Sequence, residues 1–332
     1  MSEPASTRLE GLPTAVTAST IRQPYSSQQL SQGQSFPMAD RPVRESIREI
    51  DDNSWLIGNK ILLSRASPSE CAWGDGNGGG YSISDAPLPL PKSRPLSDTS
   101  DVKLVYDAGG VSAVFSIGDA FCKVRILDVP DVTREHVTLA WLHQRTWSFA
   151  IPDVFHHAEY DGRYYIILSR IPGETIDSLW AALDESMRQH YSERIVDTCK
   201  ELAVPADGSN ISGVDGGALS ERYLCGRKVD CSPQNLRKTC LGLGMDCSNL
   251  VFYHCDLGPS NILVDPANGS IGIIDWETAG FVPIEWIRTK FRTSSGMNLS
   301  TGDELDWRRR VILRMGELGF TDVVKQFITW SK

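Results

Sequence analysis

The chain has no C-x-x-C pair, no long apolar run, no excess of positive charge, and no helix-forming context around its one literal glycine fingerprint. Each absence removes a class of function. Lys and Arg total 33 against 42 Asp and Glu, a net charge of −9, which argues against a general nucleic-acid binder because such proteins present a basic face. No apolar stretch approaches the ~20 residues that span a bilayer, and "MSEPASTRLEGLPTAVTAST" lacks a basic start followed by an apolar core. Neither a signal peptide nor a membrane anchor is expected, which makes the expected setting cytoplasmic. The eight cysteines sit at irregular gaps, so reduced thiols are expected rather than a zinc cluster between Cys225 and Cys247. Nothing in the pattern indicates an oligomeric state.

The glycine fingerprint is "WGDGNGGG", with G-x-G-x-x-G at Gly74, Gly76 and Gly79. A dinucleotide site needs a buried strand before it and a helix after it. Here "SPSECA" precedes, and "YSISDAPLPLPKSRP" follows, where prolines forbid a helix. A flexible loop is the expectation.

What is present divides the chain. Residues 1–42 are rich in Ser, Gln, Thr and Pro and are expected to form a disordered tail. "SWLIGNKILLS" breaks at Gly58-Asn59 and predicts a hairpin. "KLVYDAGGVSAVFSIGDAFCKVRIL" predicts three antiparallel strands, with breaks at Ala108–Ser112 and at Gly118-Asp119. "DVTREHVTLAWLHQR" predicts a helix capped by Thr133, with Val137, Ala140, Trp141 and Leu142 on its apolar side. "YYIILSR" is a further strand, ended by Pro172-Gly173. Helical patterns follow from a cap at Thr175, then a polar loop over 207–233, a short helix near Leu236–Leu243, and two helices parted near Gly319. The reading is an α+β chain with a β-rich lobe over 43–170 and a mainly helical lobe over 171–332.

The chemistry concentrates in "YHCDLGPSNILVD", residues 253–265, and "IGIIDWETAG". Gly258-Pro259 turns the chain, so Asp256 and Asn261 can converge on one cavity while the apolar runs anchor the loop. Asp275 closes a short apolar strand, where a buried carboxylate must be hydrogen-bonded or metal-bound. A carboxylate can orient or deprotonate a hydroxyl, and a carboxylate with an amide oxygen suits Mg²⁺ beside nucleotide phosphates. His-x-Asp-x-x-x-x-Asn alone is a weak pattern. The full order of glycine loop, strand lysine, helix glutamate, hinge, catalytic loop and strand aspartate is specific.

In that order the chain resembles the aminoglycoside phosphotransferase and choline kinase group, which has a two-lobed protein-kinase-like fold. "HCDLGPSNILVD" is similar to the group's catalytic loop and "IIDWETAG" to its metal-binding segment. The resemblance covers about residues 100–332 and is closest to fungal members. It implies that Asp256 is the catalytic base or hydroxyl-orienting group and that Asn261 and Asp275 bind Mg²⁺. It further implies that Lys123 contacts the α- and β-phosphates of ATP and that Glu135 pairs with Lys123. Gly109, Gly110 and Ser112 would approach the phosphates, and backbone groups of Ser169 and Ile171 would face the adenine.

Plainer readings stand beside these. Lys123 alone fits a solvent-facing strand lysine, Glu135 a first-turn helix residue, Gly109-Gly110 a hairpin turn, and His254 a hydrogen-bonded support of the loop. "DWE" stands in place of DFG, no APE follows, and 57 residues remain after Asp275. These departures favour a small-molecule hydroxyl acceptor over a protein. The segments 74–80 and 207–233 are where substrate gating is expected. The acidic residues Asp184, Glu185 and Glu285 are candidates to recruit an amine or simply a solvated face. The competing function is a non-catalytic kinase-fold protein that binds a ligand or partner.

Overall fold

The computed structural model describes residues 41–129, 131–226 and 229–331. Residues 1–40 of the expected tail lie outside the described residues. Pro42, at its end, precedes a 3-10 turn over Val43–Glu45.

The first half is two antiparallel sheets. Ile47–Asp51 (β1), Ser54–Ile57 (β2), Ile61–Ala66 (β3), Trp73–Gly74 (β4), Gly80–Asp85 (β5) and Arg94–Pro95 (β6) form one, in the order β4-β5-β3-β2-β1-β6. The hairpin expected at Gly58-Asn59 joins β2 to β3, with Ile57 opposite Ile61. The glycine-rich stretch is a loop, as expected, with a strand and no helix after it. It turns β4 into β5, and the Asp75 carboxylate ties the turn by accepting the Asn77 and Gly79 amides at 2.8 and 3.0 Å. The short-range hydrogen bonding of aspartate supplies the order that glycine content alone would deny.

Val102–Asp107 (β7), Ser112–Ile117 (β8) and Ala120–Ile126 (β9) are the three strands expected. Glu135–Leu142 (α1) follows, then Val154–Tyr160 (β10) and Arg163–Ser169 (β11), giving the order β10-β11-β9-β8-β7. Alternation sorts this sheet's faces. Phe115, Ile117, Cys122, Val124, Tyr165 and Ile167 point at the first sheet and share a core with Trp55, Leu63 and Tyr81. Tyr164, Ile166 and Leu168 point the other way and join the core of the second half. Cys122 is thus a small apolar core residue.

Helix α1 begins differently from expectation. Arg134 occupies its cap position without a side-chain bond to the helix, and the Thr133 hydroxyl donates instead to Asp215. Its buried face is Glu135, Thr138, Leu139 and Leu142, because the helix turns Glu135 toward Lys123; Val137 is half-buried and Ala140 exposed.

The second half holds Glu174–Thr175 (β12), Ile176–Leu179 (α2), Glu185–Leu202 (α3), Arg222–Cys225 (α4), Pro233–Gly242 (α5), Leu250–Tyr253 (β13), Ile262–Val264 (β14), Ile271–Ile273 (β15), Gly280–Pro283 (β16), Glu285–Thr293 (α6), Asp306–Glu317 (α7) and Val324–Ser331 (α8). Thr175 caps α2 by accepting the Ser178 amide, as expected, and Asp184 caps α3 through the Met187 amide. The strands pair as β12-β14-β15 and β13-β16. The α+β reading holds, with strands dominating the first half and helices the second. No helix among the described residues is long and apolar enough to cross a membrane.

One expectation is corrected here. Cys225 and Cys231 form a disulfide, with Cα atoms 4.9 Å apart across the loop between α4 and α5, so the cysteines are not all reduced. Of the acidic candidates, Asp184 and Glu185 lie on an exposed face, as the plainer reading has it, where Asp184 caps α3 and Glu185 pairs with Arg310 at 2.7 Å, while Glu285 is half-buried and accepts the Asp246 amide.

Candidate active site

Register sets the site. In the second sheet Lys123 lies opposite Val114 and Ile166, and Val114 lies opposite Tyr106, so these four side chains share one face. That face looks away from the sheet–sheet core toward α1 and the second half. Arg125, two residues along β9, lies on the same face opposite Ser112. Helix α1 crosses this face and supplies Glu135.

Lys123 Nζ donates to Glu135 Oε2 at 2.7 Å and to Asp275 Oδ1 at 2.5 Å. Burial works against the lysine's charge, but Asp275 and Glu135 outweigh it and hold its pKa well above the ordinary value. Glu135 is buried, which pushes its pKa up against the pull of Lys123, and its second oxygen accepts the Trp276 amide at 3.0 Å. Asp275 is displaced downward because Lys123 overcomes burial. One carboxylate of α1 therefore ties the strand lysine and the backbone after Asp275 into a single unit. Glu277 takes Arg125, so "DWE" contributes a second ion pair across the same cleft.

The loop 254–261 is assembled by backbone and histidine contacts. His254 Nδ1 accepts the Asp256 amide at 3.2 Å, which assigns the proton to Nε2, and Nε2 donates to the Ile274 carbonyl at 3.0 Å. Burial drops its pKa to about 4, so His254 is a neutral support joining the two strand ends. Cys255 and Asp275 both have positive φ, 61° and 67°, a costly conformation for residues other than glycine. Such backbone outliers concentrate where a fold must aim side chains.

Asn261 donates to the Asp256 carbonyl at 2.8 Å and to Asp256 Oδ2 at 3.3 Å, which leaves its amide oxygen free. Asp256 Oδ1 accepts no hydrogen bond among the described residues. Burial raises the Asp256 pKa to about 6, opposed by Lys290 and reinforced by Asp275. The Ile274 amide donates to the Asn261 carbonyl at 3.1 Å, so Asn261 and Asp275 sit on adjoining strand ends. Asp256, Asn261, Asp275, Lys123 and Glu135 thus form one chain of contacts.

The remaining expected residues frame this chain. Gly109 and Gly110 are exposed at the tip of the β7–β8 turn, and Gly109 has φ +71°. The Ser169 amide is taken by the Asp153 carbonyl at 2.9 Å, leaving only its carbonyl to offer a ligand. The Ile171 amide makes no hydrogen bond among the described residues, and the Ile171 side chain packs over Gly272 of β15.

Arg125 carries a sequence signal, since it stands two positions beyond Lys123 on β9 and that spacing shares a strand face, whereas Glu277 lies in the 3-10 turn Trp276–Thr278 after Asp275. The buried pair of Glu221 and Lys290 left no such signal. Lys290 Nζ lies 2.7 Å from Glu221 Oε2 and influences Asp256, yet the two are 69 positions apart.

The two segments expected to gate substrate brace parts of the site's frame. The Asp119 amide donates to the Gly74 carbonyl, and the Arg170 amide to the Asp119 carbonyl, so the glycine-rich turn braces the junction before Ile171. In the other segment, the Thr133 amide donates to the Ala218 carbonyl and the Ala218 amide to the Asp131 carbonyl. That segment pins the start of α1.

A family model described as "Phosphotransferase enzyme family" matches residues 103–285. Among solved structures, the chain is similar to a thermostable mutant of aminoglycoside phosphotransferase APH(4)-Ia in its apo form, at 19% identity, covering 69% of this chain and 83% of that one with a TM-score of 0.47. It is also similar to aminoglycoside phosphotransferase APH(3'')-Id from Streptomyces rimosus, at 18% identity, covering 68% and 90% with a TM-score of 0.45. No curated protein matches.

Proposed function

This chain belongs to the phosphotransferase enzyme family, and from that premise we propose that it moves the γ-phosphoryl group of ATP to a hydroxyl of a small molecule. The observation that carries the reading is the unbroken set of contacts from Asp256 through Asn261 and the Asp275 strand end to Lys123 and Glu135. Asp256 orients the acceptor hydroxyl and takes its proton at the unpartnered Oδ1. The acceptor oxygen bonds to the γ-phosphorus as the bond to the ADP oxygen breaks. Lys123, kept charged by two carboxylates, meets the α- and β-phosphates, and Glu135 fixes its position. Gly109, Gly110 and Ser112 approach the phosphates from the β7–β8 turn. The Ser169 carbonyl and the free Ile171 amide face the adenine, which puts the division between lobes near residue 170.

The donor chemistry fits Mg²⁺. Asn261 has spent its amide hydrogens on Asp256 and keeps its oxygen, and Asp275 keeps Oδ2 after Lys123 takes Oδ1. Hard oxygen donors of this kind suit a hard divalent cation. Bound there, the ion would neutralise phosphate charge. ATP as donor fits a cytoplasmic enzyme, which belongs to this reading; the Cys225–Cys231 bond is an uncommon feature in that compartment.

The test is ADP release from Mg-ATP across a library of hydroxylated compounds and amino alcohols. Asp256→Asn should lower transfer by about 10²–10⁴-fold with nucleotide affinity nearly unchanged. Asp275→Ala should instead weaken Mg-ATP binding itself. Metal-dependent ATP binding without turnover, identical in wild type and Asp256→Asn, would support the non-catalytic alternative.

A further inference from the structure

Gly296 sits in the 3-10 turn Ser295–Met297 that follows α6, beside the open oxygen of Asp256. The two usual reasons for a glycine are absent there. Its φ lies outside the left-handed range, and an added methyl would clash with nothing. Its nearest neighbours would be Asp256 Oδ1 and Ser294 Oγ, each at 3.4 Å. Gly258 is a contrast: a Cβ there would stand 2.2 Å from the Gly296 carbonyl oxygen, so the turn after Asp256 and the 295–297 turn pack backbone against backbone. Ser294 Oγ accepts the Gly296 amide at 3.2 Å, and Ser294 and Met297 are buried while Gly296 is exposed. This turn is therefore anchored to the catalytic loop and offers Asp256 a bare α-carbon.

The room left by that bare carbon has a chemical meaning. A hydroxyl donating to Oδ1 places its oxygen at about 2.7 Å and the carbon that bears it roughly 3.5 Å away. A Cβ at position 296 would occupy the same shell, at 3.4 Å.

We propose that Gly296 is a specificity-determining position of the acceptor subsite, leaving space for the hydroxyl-bearing carbon of the acceptor against Asp256 Oδ1. This inference rests on the phosphotransferase reading above. The reaction is unchanged: the hydroxyl proton passes to Asp256, the acceptor oxygen joins the γ-phosphorus, and ADP leaves. A side chain at 296 excludes the carbon of an acceptor. A Cβ at 296 has no other neighbour within 4 Å among the described residues, so Lys123 on the nucleotide side lies beyond its reach.

The experiment compares full-length wild type, Gly296→Ala, Gly296→Val and Ser295→Ala. It measures ADP release from Mg-ATP alone, where water is the acceptor, and with ethanolamine, choline, glycerol, glucose, an aminoglycoside and a wider hydroxylated library in turn. For each compound that speeds wild-type release, Gly296→Ala should lower acceptor kcat/KM by about tenfold and Gly296→Val by about a hundredfold, chiefly through acceptor KM. The KM for Mg-ATP should stay within about twofold, and melting temperature within about 2 °C. Ser295→Ala, exposed in the same turn, should match wild type. Equal acceptor kcat/KM in wild type and Gly296→Val overturns the assignment and leaves the phosphotransferase reading standing. Wild-type release that no compound raises above the water rate overturns that reading, and this inference with it.

Discussion

Replacing Lys290 by methionine tests how the floor beneath Asp256 is held. Lys290 Nζ lies 2.9 and 2.7 Å from the two carboxylate oxygens of Glu221, and the residues are 4% and 1% exposed. Without the lysine, Glu221 keeps the Tyr223 amide at 3.0 Å and the Trp286 indole at 3.3 Å. Two neutral donors do not replace a cation in a low-dielectric interior, so one partner's removal costs about 3–5 kcal/mol. For a chain of this size each kcal/mol moves Tm by roughly 2–4 °C, so Lys290→Met should melt about 6–20 °C lower in calorimetry. Glu221→Gln combined with Lys290→Met removes the stranded charge and should recover a large part of that loss. A second readout is chemical. Burial raises the Asp256 pKa to about 6 and Lys290 opposes it, so losing Lys290 should carry the acid limb of the rate–pH profile upward. The double variant should move it less, because Glu221 acts in the opposite sense. A single variant that loses under about 1 kcal/mol, or a double variant as unstable as the summed singles, would refute the account of a sealed pair.

Two further expectations follow from the same geometry. A carboxylate acting as base works only when ionised, so turnover should climb through about pH 6 and level above it. Stability runs the other way: the folded pKa lies above the ordinary value of 3.8, so the contribution of Asp256 is complete below that value and fades as pH rises to about 6. Melting of wild type and Asp256→Asn between pH 4 and 7 checks the sign, since the asparagine variant should lack this loss. Gly213→Ala places a Cβ 1.8 Å from Thr133 Oγ1, so it should push the 212–218 segment off the start of α1. It should cost about 1–3 kcal/mol and weaken ATP binding through Glu135; unaltered melting and nucleotide KM would sink the pinning role.

Local pattern carried much of the architecture and little of its long-range closure. The β7–β9 meander was legible because apolar alternation and two small-residue breaks agree, and Thr175 was legible as a cap because its neighbours are apolar at helical spacing. Strand β10 was not, because "VFHHAEY" buries fully only Tyr160 and pairs through backbone. Thr133 looked like a cap and is not, because Asp215, 82 positions away, claims its hydroxyl. The same limit explains the disulfide and the Glu221–Lys290 pair, which depend on where α4, α5 and α6 converge. Around the site, the motif residues were legible as a set, whereas the pairing of Arg125 with Glu277 spans 152 positions and depends on how β9 meets the turn after Asp275. Gly296 had no sequence signal, since the glycine matters only for what stands opposite it.

The cleft's charge balance bears on its need for a cation. The groups along its axis are Lys123 and Arg125 on one side of the ledger and Asp256, Glu135, Asp275 and Glu277 on the other, two positive against four negative. Lys290 adds nothing to this sum, because Glu221 cancels it at 2.7 Å. A polyphosphate approaching these side chains alone meets net repulsion, even though Lys123 is fully charged. Glu135 is committed through both oxygens to Lys123 and the Trp276 amide, so the acidic groups with an unspent oxygen among the described residues are Asp256, Asp275 and Glu277. A divalent ion shared by Asp275, Asn261 and the phosphates would reverse the balance on the nucleotide side while leaving Asp256 free for the hydroxyl. Nucleotide affinity should therefore depend steeply on Mg²⁺ in wild type, and lose most of that dependence in Asp275→Ala. Tight ATP binding in the presence of a chelator would contradict this electrostatic reasoning.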